Sequence, residues 1–158
     1  DISFAGVFVN ETQIYKCIAM SNYGNNPAVK AIAMARAPLT AGMKAQYFAE
    51  LAEEGRLPLS FAEKYGSDPE QFFVAYSELE EKYGKDVKKI PPGAIGVYTY
   101  FNRIKVGLQQ LMAGERKFRL DLIDRSDLAA LTEHASEVTG IPTVAEIDMD
   151  CFDEILLG

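Results

Sequence analysis

The sequence predicts a mainly α chain of about seven helices with a small two- or three-stranded β element, folded as a single compact domain over residues 1–158. Two observations predict it. Apolar residues recur at helical spacing through most of the chain, whereas strand-like patterning is confined to residues 2–9 and 117–123. Runs of helices with so few strands argue against a doubly wound α/β fold. The length of 158 residues suits one core, and 48% hydrophobic with 25% charged residues is ordinary globular composition.

The elements follow in order. Ile2 to Val9 is rich in β-branched and aromatic residues and reads as a strand. Asn10 with Gln13 resembles a capping box opening a helix that carries Ile14, Cys17 and Ile18 on one side and ends near Ser21. Residues 22–27 are turn chemistry throughout. Pro27 suits a first helical turn, and the alanines of residues 28–37, with Val29, Ile32 and Met34, predict a close-packed helix that Pro38 breaks. Thr40 restarts a helix with the apolar face Met43, Tyr47, Phe48 and Leu51, closed by Gly55. A short helix over Leu59 to Tyr65 stops at Gly66. Asp68 then caps and Pro69 takes the first position of a helix with Phe72, Tyr76, Leu79 and Tyr83, which Gly84 ends.

The most regular helix pattern follows Pro91-Pro92-Gly93. Val97, Phe101, Ile104, Leu108 and Leu111 alternate steps of four and three up to Gly114, which makes this the expected central core helix. Residues 117–123 alternate polar and apolar like a strand, and Ser126 caps a helix to Thr139 with the face Leu128, Leu131, Ala135 and Val138. Residues 143–157 fit a helix opened by Thr143 and Glu146 but also alternate like a strand; helix is the expectation.

Charge is blocked along the chain. Residues 82–119 sum to +7, between segments of −5 and −9, in a chain of net charge −7. A pI near 4.8 argues against nucleic-acid binding by the whole surface. No apolar run approaches the ~20 residues of a membrane span, and no signal peptide is visible. The chain begins at Asp1, which reads as a processed, trimmed or fragmentary form, and the compartment stays open.

No motif for catalysis, a metal or a cofactor stands out. Glu146, Asp148, Asp150, Asp153 and Glu154 carry the oxygen ligands a hard cation uses, but without EF-hand spacing, and a helix would spread them apart. His134 is the single histidine, so a thiol–histidine pair with Cys17 or Cys151 would have to use it. Its place at the border of an apolar face favours a half-buried structural role. Cys17 near Tyr15 and Tyr23 could tether a planar prosthetic group, though the same residues make ordinary core.

The expectation is therefore a non-enzymatic protein-interaction module, or a structural subunit of a larger assembly. Its partner has an acidic surface, and Lys85, Lys88, Lys89, Arg116, Lys117 and Arg119 are the binding residues, with no cofactor. The alternative is a small enzyme using a thiol or a carboxylate-bound metal, or a module carrying a cysteine-tethered group. Charge blocks of this kind set partner choice and encounter rate more than affinity.

Overall fold

A computed structural model describes residues 1–157 except Asn25; the side chains of Asp150, Cys151, Asp153, Glu154 and Leu157 lie outside the described set. The fold is mainly α. Among the described residues it has eight α-helices and one two-stranded parallel sheet. The chain divides into two compact units, one of residues 1–4, 12–32 and 109–158, the other of residues 5–11 and 33–108.

In the first unit, β1 (Ile2–Ala5) pairs with β2 (Val29–Ala33), and the Ile2 amide donates to the Ala28 carbonyl at 2.8 Å. The expected helix over 28–37 is thus largely a strand. Alanine favours helices by well under 1 kcal/mol per residue, too little to resist a tertiary pairing. Helix α1 (Glu11–Met20) buries Ile14 and Ile18 as its periodicity predicts, but Tyr15 and Ala19 complete the buried side and the expected Cys17 is only half-buried.

Residues 117–131 depart most from expectation. The strand predicted over 117–123 does not form: among the described residues nothing pairs with it as a strand. Leu120–Leu122 and Arg125–Asp127 are single 3-10 turns, and of the alternating apolar residues only Ile123 is fully buried. Asn22 holds this segment. Its side-chain amide donates to the Ile123 carbonyl at 2.8 Å, and its Oδ1 accepts from the Gly24 amide at 3.0 Å. The expected helix from Ser126 begins only at α7 (Glu133–Thr139), where Thr132 accepts from the Ala135 amide. Asp124 caps the preceding turn instead, accepting from the Ser126 amide at 2.8 Å. Leu131 and Val138, expected inside, are exposed. Helix α8 (Val144–Leu157) has the predicted opening, with the Glu146 carboxylate accepting from the Thr143 amide at 2.6 Å.

The second unit is built on α2 (Arg36–Glu53) and the greater part of α6 (Pro92–Gly114), which starts and stops where the proline pair and Gly114 predict. Pro38 does not break a helix; it sits in the first turn of α2, where its missing N–H leaves no bond unmade. The two helices approach through small residues. A Cβ on Gly96 would lie 2.9 Å from the Ala41 carbonyl oxygen and would overlap the Ala45 methyl. The buried face of α2 is consequently Ala45, Ala49 and Leu51, while Met43 and Tyr47 are left exposed.

Helix α3 (Leu59–Tyr65) matches expectation. The helix expected from Asp68 to Tyr83 is split into α4 (Pro69–Phe72) and α5 (Tyr76–Tyr83). The break lets both Phe73 and Ala75 turn inward. Phe73, Tyr76, Leu79, Val87 and Ile95 close a core around Ala45. On α6, Ile104 is buried, Leu108 half-buried and Phe101 exposed, so the predicted stripe is only partly covered.

Candidate functional site

The six expected binding residues, drawn from the nine basic residues of the charge block, fall three in each unit. Lys85, Lys88 and Lys89 lie on one exposed 3-10 turn, Gly84–Lys89, anchored by the buried Val87. Two of them have acidic partners: Lys88 lies 3.3 Å from Glu70 and Lys89 2.7 Å from Asp86. Lys85 is exposed and makes no ion pair among the described residues. In the other unit, Arg116 is exposed with a φ of +55°, the left-handed conformation that turns the chain after α6. Arg119 pairs with Asp121 two residues on.

Lys117 behaves differently. Its ammonium lies 3.0 Å from Asp124 and 2.5 Å from Asp127. The Lys117 side chain is 20% exposed and that of Asp127 only 3%. The Tyr15 hydroxyl donates to the other Asp127 oxygen at 3.1 Å. Burial disfavours charge on Lys117, but its hydrogen bonds to the two carboxylates and their charges prevail, and its pKa is raised. Burial, and then the bond to Asp127, hold Tyr15 protonated well beyond the usual tyrosine range. This charged centre is a structural clasp. The strand expected over 117–123 would have set Lys117 and Arg119 on one face; among the described residues no strand forms there, and the two side chains go to different carboxylates.

The candidate thiol and histidine chemistry fares as follows. The His134 side chain is 87% exposed in the first turn of α7, its Nδ1 4.0 Å from Glu137, rather than half-buried. The helix is capped by Thr132 rather than Ser126, six residues later than expected, and Leu131 and Val138 are exposed, so no apolar face forms around the imidazole. Cys17 is a half-buried free thiol whose pKa burial raises, opposite to what a nucleophilic thiolate requires. Cys151, Asp150, Asp153 and Glu154 have side chains outside the described residues. Among the described residues no group of three ligand side chains could hold a metal. Glu146 is engaged in the cap of α8. Beside Cys17, Tyr15 is buried in the clasp, and the ring of Tyr23 carries the Arg125 guanidinium at 4.7 Å.

The more suggestive surface lies in the second unit. Between α2 and α6 runs an apolar groove of about 610 Å³, bordered by Leu39, Met43, Tyr47 and Val97 over Gly42 and Gly93. Leu39 is 63% and Met43 65% exposed. Sequence periodicity placed Met43 and Tyr47 in the core. The signal that finds the groove is the small-residue spacing Ala41, Gly42, Ala45 against Gly93 and Gly96, which brings the helices close and leaves the larger side chains at the rim. The chain matches no family model, no curated protein and no solved structure.

Proposed function

We propose that the protein is a non-enzymatic interaction module, or a structural subunit of a larger assembly, whose partner combines apolar side chains with an acidic surface. The observation that carries this reading is the α2–α6 groove, where Leu39, Met43 and Tyr47 border one continuous depression. Apolar surface releases about 25 cal/mol per Å² when it leaves water. A contiguous row left in water is therefore a source of free energy for association. Lys85 and Arg116, exposed and without ion pairs among the described residues, supply the electrostatic contribution to encounter. Lys117 is spent inside the chain, and Lys88, Lys89 and Arg119 have local acidic neighbours, so they add less.

Capture from extract at low and at high salt tests the reading, with wild type beside Met43→Asp and Lys85→Glu/Arg116→Glu. Each variant is first checked for an unchanged denaturant midpoint. The expected result is a species held by wild type, lost with Met43→Asp, and weakened with the charge pair mainly at low salt. A species retained equally by all three proteins would sink the proposal.

A further inference from the structure

The second unit also holds a smaller concavity of about 280 Å³, on the other side of the Ala41–Ala45 row. Phe48 of α2, Phe61 of α3, Phe72 of α4 and Tyr100 of α6 wall it, and Lys44 and Arg103 border it. The register explains the pairing. Lys44 and Phe48 are four residues apart on one helix, Tyr100 and Arg103 three apart on the other, so each helix directs one ring and one cation to the same side. The rings are already ordered against one another: Phe48 stacks on Phe61 at 4.4 Å between centroids, and Phe61 meets Phe72 edge-on at 5.6 Å.

Charge supplies the second observation. No carboxylate borders the pocket, and neither Lys44 nor Arg103 makes an ion pair among the described residues. Thr99, also in the lining, has a buried hydroxyl without a hydrogen-bond partner among the described residues. An aromatic floor and two cations without an ion-pair partner among the described residues complement a ligand with a flat apolar body and one negative end; Glu11, whose charge reaches Tyr100, stands outside the lining. The volume sits just below the range of drug-sized sites, which points to a single ring with a short chain.

We propose that this pocket binds a small aromatic carboxylate, its ring among Phe48, Phe61 and Phe72 and its carboxylate on Arg103 and Lys44. Arginine takes a carboxylate through two parallel N–H bonds, and the ring supplies the apolar burial. This site is separate from the groove, and the inference does not depend on the interaction reading.

The test is calorimetric titration of the full chain with 3-phenylpropionate, 3-phenyl-1-propanol, and a capped Asp-Phe-Asp peptide. The expected result is saturable binding of the acid and binding of the alcohol weaker by roughly tenfold, the loss of one charged contact. Arg103→Gln, an exposed change that spares the core, weakens the acid by a similar factor and leaves the alcohol unchanged. Phe61→Ala, checked for an intact midpoint, weakens both. No binding of the acid, equal binding of acid and alcohol, or indifference to Arg103→Gln would each overturn the proposal. Binding of the peptide alone would overturn it too, and would assign the pocket to a side chain of a protein partner.

Discussion

The ammonium of Lys117 sits against the carboxylate of Asp127, a side chain 3% exposed and shared with the hydroxyl of Tyr15. This contact joins α1 to the irregular segment that follows α6. A buried ion pair adds little over a well-packed apolar substitute, but removing one partner leaves an uncompensated charge. Lys117→Met is expected to lower stability by roughly 3–5 kcal/mol, read as a denaturant midpoint. Arg119→Glu, at an exposed pair, is expected to leave the midpoint within experimental scatter. Equal effects of the two changes would show that Lys117 is a surface residue.

The same clasp sets a pH dependence. Tyr15 and Lys117 both bind their protons more tightly in the folded state. Their stabilisation is complete below the unfolded values, about 10, and is lost as pH rises through the folded ones. Asp124 runs the other way. The hydrogen bond from Ser126 chiefly, with that from Lys117, outweighs burial and holds its carboxyl below the usual range. Its contribution is present above about pH 4 and lost as pH falls through the folded value. Stability measured against pH is expected to fall at both ends. Tyr15→Phe flattens the alkaline limb and Asp124→Asn the acid limb; unchanged limbs in both variants would refute the assignment.

Asn22 is expected to matter more than its place in a polar loop suggests. Asn22→Ala leaves the fully buried Ile123 with an unpaired carbonyl and removes the acceptor of the Gly24 amide. A loss of about 1–3 kcal/mol follows for a buried group left unsatisfied. Hydrogen exchange checks the locus: protection is lost around residues 121–123 before it changes elsewhere.

Gly96→Ala probes the helix crossing. The new methyl overlaps Ala45 and crowds the Ala41 carbonyl, so α2 and α6 must separate. Overpacking of this kind costs roughly 1–3 kcal/mol, against the stabilisation of at most about 1 kcal/mol that alanine brings to a helix. Gly114→Ala, where an added Cβ meets nothing within 4 Å, is the control and is expected to be neutral or slightly stabilising in the same melt.

Local signals determined a definite part of this protein. The proline pair and Gly114 bound α6, Asp68 with Pro69 opened α4, and Thr143 with Glu146 opened α8, because caps and breakers act through neighbours in sequence. The mainly α class followed from those same elements. What the tertiary structure decided is what depends on distant partners. Residues 117–123 alternate like a strand, yet among the described residues no strand pairs with them, and Lys117 and Asn22 draw the segment into turns instead. The alanine-rich segment became β2 because β1 lay beside it. Met43 and Tyr47 were left at a groove rim because Ala41, Gly42 and Ala45 met the glycines of α6 first. The charge block was plain in composition, but its fate was not. The bond between Tyr15 and Asp127 spans 112 residues, and no periodicity encodes which carboxylate a lysine will find.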